Sequence, residues 1–354
     1  MARARRLRGL AQGVVARFEQ LYNRYSRLFW TLHSIWALLW GAGVLVLAHN
    51  RYGYLPWVVS FLALTWASTL FFTRAISSVQ SKAMRYAQEF VSYLTRVMYQ
   101  GTLFFLIPFY AYSATFFSAN AIFVGFLLAL AIFSCFDLPF DRLLRRSRTF
   151  ALIFFTLVTF AALNFFFPLF FQTRLHVGTY LAAAMAVAAA LPLAYSFKEL
   201  LRPRLILKAT LILLIVLLGV RAARPLLPPV PLRLAKVRFA AQVDAATLSS
   251  PRDWADAIPA TELTHGKLYV VATIFAPTSL PTTVVIKVLR AGVVVRSSRV
   301  VELLAHEKGF RVWDAVPLQL LAGASSLQRV EGPVVVEVWT AEGHLLGRVP
   351  AQIH

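Results

Sequence analysis

The sequence predicts a two-part membrane protein: an all-α bundle of seven transmembrane helices followed by an all-β antiparallel sandwich. Three observations carry that fold class. A helix needs roughly 20 apolar residues to cross about 30 Å of hydrocarbon, and seven such runs fill the first 220 residues. Lys and Arg gather on every second connection between them. After Arg221 the 3.6-residue periodicity gives way to short valine-rich stretches divided by turn residues.

The first 27 residues carry Arg3, Arg5, Arg6, Arg8, Arg17, Arg24 and Arg27. Leu7, Leu10, Val14, Phe18, Leu21 and Tyr25 recur among them at helical spacing. That combination predicts a basic amphipathic helix lying on the inner leaflet over residues 1–27. It has no short apolar core ending in a small-residue cleavage site, so a signal peptide is not expected. The seven apolar runs follow over 28–221: Leu28–Ala48, Tyr54–Thr73, Val97–Phe117, Ala121–Phe140, Phe150–Phe171, Val177–Phe197 and Leu205–Val220. Backbone groups in lipid find no water, so each run is expected to be helical. The segment from Arg74 to Arg96 keeps three- and four-residue apolar steps and is expected to run on into the third of them.

Charge orients the bundle. The N-terminal segment and the even connections hold 18 Lys/Arg, against only Arg51 and Arg174 on the odd ones. The positive-inside rule then puts the N-terminus in the cytoplasm. Seven crossings put the C-terminal domain outside it, in the periplasm of a bacterial inner membrane. Of the formal charge of +21, residues 1–221 hold +17, from 22 basic and 5 acidic residues. Excess charge at the rim of a helix bundle points to anionic lipid headgroups at the cytoplasmic face as the partner, and not to nucleic acid.

Polar residues within the apolar runs are where a membrane function would show. Asp137 and Asn164 stand out, with His33 in the first turns of the first run. Asp137 sits near the end of its run, close to Arg142, and is expected to cap a helix and pair there. A polar cavity near His33, Gln100 and Asn164 would instead indicate a transporter or channel subunit. Asp137 with Asp141 is the one pair that a lipid-handling membrane enzyme could use. Gly178, Ala182, Ala186, Ala190 and Ala194 recur every fourth residue. They form a small-residue stripe that lets a neighbouring helix approach closely.

Residues 222–235 read as a proline-rich, semi-rigid linker carrying Pro225, Pro228, Pro229 and Pro231. Over 236–354 the expected strands are Lys236–Val243, Lys267–Phe275, Thr282–Arg290, Val293–Leu303, Phe310–Val316, Pro333–Thr340 and His344–Ile353. Ala291-Gly292 and Ala341-Glu342-Gly343 read as hairpin turns. Trp254, Trp313 and Trp339 are the expected large core or rim residues. The only cysteine, Cys135, lies in the membrane half, so the sandwich must stand without a disulfide. His265, His306, His344 and His354 have no metal-ligand spacing. No nucleophile elbow or phosphate-binding glycine loop is present. No catalytic residue, cofactor or metal is inferred.

Three stretches carry a resemblance. They are Val285-Ile286-Lys287-Val288-Leu289-Arg290-Ala291-Gly292, Phe310-Arg311-Val312-Trp313-Asp314, and Glu331 to Trp339 followed by Gly343-His344-Leu345-Leu346-Gly347. On these, residues 282–354 resemble a β-rich domain of unknown function found C-terminal to bacterial polytopic inner-membrane segments. The resemblance implies architecture and no activity. The expected function is non-enzymatic: the bundle anchors a β-sandwich that binds an envelope protein, glycan or lipid outside the cytoplasm.

Overall fold

The computed structural model describes residues 82–244, 249–263, 266–276, 280–303, 306–322 and 330–354, with parts of the first two apolar runs (32, 35–36, 38–43, 60, 63–64 and 66–67). Over residues 82–222 seven helices precede the sheets: α1 (Lys82–Ser113), α2 (Asn120–Cys135), α3 (Asp137–Arg146), α4 (Arg148–Phe171), α5 (Leu175–Ala194), α6 (Phe197–Leu200) and α7 (Pro203–Ala222). The predicted amphipathic helix at 1–27 lies outside the described residues.

The seven-span bundle is not what the chain forms. Among the described residues three helices are long and apolar enough to cross a membrane: α4, α5 and α7. Two of the remaining runs fail for physical reasons. Most of the third run is the second half of the 32-residue α1, where Gln100 and Thr102 are buried polar residues and the buried Arg96 stands just before the run. The fourth run breaks. Pro139 has no N–H to offer the Cys135 carbonyl, so α2 stops at Cys135 after 16 residues. Sixteen residues rise roughly 24 Å, short of the hydrocarbon thickness. The chain turns at Phe136 and restarts as α3. The described residues of the first two runs are helical. Gly41 packs so closely on the Phe104 ring that a side chain has no room, and Trp66 Nε1 donates to the Ala189 carbonyl of α5 at 3.0 Å.

Aromatic packing holds α1, α3 and α4 together. Phe154 meets Tyr99 edge-on at 5.2 Å and Phe140 at 4.9 Å between ring centroids. Such pairs add about 0.5–1.5 kcal/mol each beyond the area they bury. The α3–α4 break is capped by Ser147, whose hydroxyl accepts from the Phe150 N–H at 3.2 Å. The α5–α7 connection carries a capping box: Ser196 accepts from the Glu199 N–H, while Glu199 accepts from the Ser196 N–H. By contrast α7 has no buried residue; Leu207, Leu211, Leu214, Ile215 and Leu218 all point outward.

The C-terminal region is β-rich, with nine strands in two sheets among the described residues. The first sheet has three antiparallel strands in the order β1 (Arg233–Ala240), β3 (Lys267–Ala276), β7 (His306–Pro317). The second runs β2 (Ala257–Ile258), β9 (Leu345–Ile353), β8 (Gly332–Thr340), β4 (Thr283–Arg290), β5 (Val293–Ser297), with β6 (Val301–Glu302) also on β4. One core serves both sheets: Phe239, Val270, Ile274 and Val312 from the first meet Ile286, Val288, Val336 and Ile353 from the second. Alternation explains it, because Val334, Val336 and Val338 fall on one face of β8 while Val335, Glu337 and Trp339 fall on the other. Asp314 of β7 accepts two bonds from Arg296 of β5, at 3.0 and 3.2 Å, and ties the sheets at their edge. The all-antiparallel expectation also fails at one point. The short strand β2 pairs with β9 in parallel.

The β4–β5 turn is a two-residue loop with φ of +49° at Ala291 and +79° at Gly292. Both central residues of such a turn need positive φ, and alanine pays a steric penalty there of about 1 kcal/mol. Replacing Ala291→Asn gives the favoured Asn-Gly pair and is expected to raise stability by about 1 kcal/mol. The check is the thermal midpoint of the detergent-solubilised chain, and a midpoint that stays put or falls contradicts this account of the turn.

Candidate functional site

The proline-rich segment is a buried joint. After α7 the chain makes one 3₁₀ turn (Arg224–Leu226), and residues 227–232 are then all buried. Leu227 packs with Phe160, Phe167 and Ala186 of the helices, and Val230 joins the α1–α4 core. Leu232 and Leu175, the first residue of α5, enter the core of the sheets. Apolar side chains thus cross the boundary in both directions.

The β8–β9 turn docks on this joint. Arg224 donates to the Tyr180 hydroxyl at 2.8 Å and to the Glu342 carbonyl at 3.1 Å. Asn120, the first residue of α2, donates to the Leu345 carbonyl at 3.1 Å. His176 Nδ1 lies 3.7 Å from Glu342 Oε1. On the far side, Arg233 of β1 stacks over the rings of Tyr112 and Phe275 at 5.4 and 5.0 Å. His344 follows the turn and is only 4% exposed. It borders a small void with His176, Thr179, Tyr180 and Arg224, with room for about one water. Neither of its ring nitrogens makes a hydrogen bond of regular geometry among the described residues. Burial, and then the Arg224 charge, push its pKa down to about 4, against the opposing pull of the Leu227 backbone and Glu342.

Of the residues the sequence singled out, Asn164 is buried and fully used. Its Nδ2 donates to the Tyr110 hydroxyl at 3.1 Å, and its Oδ1 accepts from Thr179 at 2.7 Å. The Tyr110 hydroxyl in turn donates to the Ala161 carbonyl at 2.8 Å. The result is a polar clamp joining α1, α4 and α5. Gln100 is likewise engaged, donating to the Ser134 carbonyl at 2.6 Å. His33 lies outside the described residues. Asp137 opens α3, and its side chain lies outside them as well. Within the small-residue stripe, Gly178 faces Thr173 and Pro168, and a Cβ there would sit 3.1 Å from the Thr173 hydroxyl. Ala182 and Ala186 are fully buried. Ala186, Ala190 and Ala194 also line a groove between α4, α5 and α7.

On the first sheet, Tyr269 of β3 and Trp313 of β7 stack at 6.0 Å between centroids, 33° apart in plane. Trp313 is 37% exposed, on the opposite face of β7 from the core residue Val312. Beside the pair opens a cleft lined by Gln242, Asp244, Ser249, Ser250, Lys267 and Tyr269. Trp254 behaves differently and lies in the core. The sequence flagged Trp313 by size alone. Arg224, Tyr180 and Tyr269 carried no motif that would have found them.

Two outcomes test these sites. Because His344 holds a pKa below its usual 6.5 when folded, the unfolded chain binds more protons between pH 6.5 and about pH 4. Stability is therefore expected to fall as pH drops through that window, by about 3 kcal/mol in all, and to level off below it. Thermal midpoints at pH 7, 5 and 4 should show the slope, and His344→Phe should flatten it. For the clamp, Asn164→Leu is expected to cost about 1–3 kcal/mol. Combined with Thr179→Val it should cost less than the two changes added; strict additivity would mean that the Asn164–Thr179 bond carries nothing.

No curated protein and no solved structure matches the chain. A family model does, over residues 11–270, a stretch that runs from the N-terminal segment through the joint and into β3. It ends before residues 282–354, the stretch on which the sequence shows its resemblance to a β-rich domain. The family is one whose function is unknown, and its match covers well over half of the 354 residues: the chain belongs to the DUF5924 family.

Proposed function

We propose that the protein is a membrane-anchored binding protein whose β-rich domain engages a glycan of the cell envelope outside the cytoplasm. The observation that carries this reading is the tilted Tyr269–Trp313 ring pair, the tryptophan exposed and the tyrosine half-buried, beside a polar cleft. Asp244, Ser249, Ser250, Gln242 and Lys267 offer donors and acceptors of both kinds around an aromatic surface. Tryptophan and tyrosine are among the side chains that most often anchor a bound partner. The polar cleft next to them favours a hydroxyl-rich polymer over an apolar protein face.

Orientation follows from the charge on the last connection. Lys198 and Arg202 precede α7 and Arg204 lies in its first turn, and the positive-inside rule assigns that end to the cytoplasm. α7 has 20 residues, enough for a single crossing to the opposite side, where β1 begins. The packed joint supports presentation of the cleft at a fixed angle to the helices, since no loose tether separates the two parts.

The full chain in detergent is expected to co-sediment with isolated cell-wall glycan. Trp313→Ala should weaken that association about tenfold or more, in line with loss of an aromatic anchor worth 1–2 kcal/mol or more. Failure of the unaltered protein to bind any glycan preparation would sink the reading.

A further inference from the structure

We propose that the groove between α4, α5 and α7 is a binding site for one membrane phospholipid with an anionic headgroup. Its apolar lining comes from all three helices: Leu152 and Phe160 of α4, Val187 and Leu191 of α5, Val216 and Val220 of α7. Its volume is about 590 Å³, within the range of sites that enclose a ligand. Along α5 it runs from Ala183 to Tyr195, roughly 18 Å at 1.5 Å per residue, the reach of an extended acyl chain. The small side chains of Ala183, Ala186, Ala190 and Ala194 create the space. Gly219 deepens it from the facing helix, where an added Cβ would meet nothing within 4 Å.

The two ends differ. One end closes against Ala223, Leu226 and Leu227, beneath the buried joint. The other ends at Thr149 and Tyr195, next to Arg148, which donates to the carbonyl of Ala194. Lys198 and Arg202 stand at the same end and are exposed. Arg148 and Arg202 both lie near enough to Glu199 to lower its pKa, after the larger effect of its bonds to Ser196. Two arginines thus lie close to one carboxylate that is already committed to the Ser196 cap, with the exposed Lys198 beside them in the chain. A tail lying in the groove with its phosphate among these cations satisfies both the apolar wall and the charge. A zwitterionic lipid brings a phosphate too, but its ammonium group is repelled by the same cations.

The test reconstitutes the full chain into vesicles of equal phosphatidylglycerol and phosphatidylcholine, re-extracts it gently and counts bound lipid by native mass spectrometry. One phosphatidylglycerol per chain is expected, preferred about tenfold over phosphatidylcholine. Gly219→Leu fills the groove, and a better helix former replaces glycine there, so occupancy by either lipid should collapse while the thermal midpoint holds. Ala223→Leu blocks the closed end and serves as the second filling variant. The pair Arg148→Gln and Arg202→Gln should abolish the preference and leave residual lipid bound. Arg221→Gln, at the opposite end of α7, should change nothing. Equal retention of the two lipids by the unaltered chain overturns the proposal. So does undiminished phosphatidylglycerol in both filling variants.

Discussion

The burial of residues 227–232 is the constraint on which the rest of the structure depends. Backbone groups of an irregular segment cannot be hidden cheaply unless they find partners or have nothing to offer. Proline solves part of that problem. Pro228, Pro229 and Pro231 carry no N–H, so three donors that burial would otherwise orphan do not exist. The remaining amides of Val230 and Leu232 bond to the carbonyls of Pro228 and Pro229, each at 2.8 Å. The segment can therefore sit inside protein, with Leu227 and Val230 turned to the helices and Leu232 to the sheets.

From that wedge the other contacts follow. Arg224, one turn before it, is held where its planar guanidinium reaches Tyr180 and Glu342 together. The β8–β9 turn is thereby brought over α5, and His344 is carried into a place where its imidazole has no regular partner among the described residues. Burying a polar ring in this way costs free energy, and the surrounding packing supplies it. The joint is stiff because its parts are shared: Leu175 belongs to the sheet core although it starts a helix, and Val230 belongs to the helical core although it leads into a strand.

Much of the β-rich region was legible in the sequence, because valine alternation and paired turn residues are local signals. Thr283–Arg290 and Gly332–Thr340 fall within a residue of the expected limits. The two-residue β2 was illegible, since so short a strand has no period to read and is held by pairing with a strand about 95 residues distant. The membrane half misled for another reason. A hydropathy window averages over Pro139 and cannot see that the helix stops at Cys135. It also cannot distinguish apolar residues left exposed, as on α7, from those of α1 that pack against other helices. The proline-rich segment read as a spacer because composition hides the apolar residues placed between its prolines. Of the candidate sites, Asn164 was visible as a lone amide in an apolar run. The cleft and the joint are assembled from residues on separate strands and helices, and no spacing in the chain announces them.

The place of β9 in its sheet has a consequence for biosynthesis. It lies between β2 and β8, so it is an interior strand, yet the ribosome delivers it after every other strand. Until it arrives, β8 has one unpaired edge and β2 has no partner in the sheet. The same delivery brings the turn that Arg224 grips. Closure of the sheet and its seating on the helices are thus one late event. Up to that moment the emerging strands present open edges that invite pairing with other chains, and contacts so distant in sequence form slowly. Shielding those edges for that interval is part of what this fold demands of its cell.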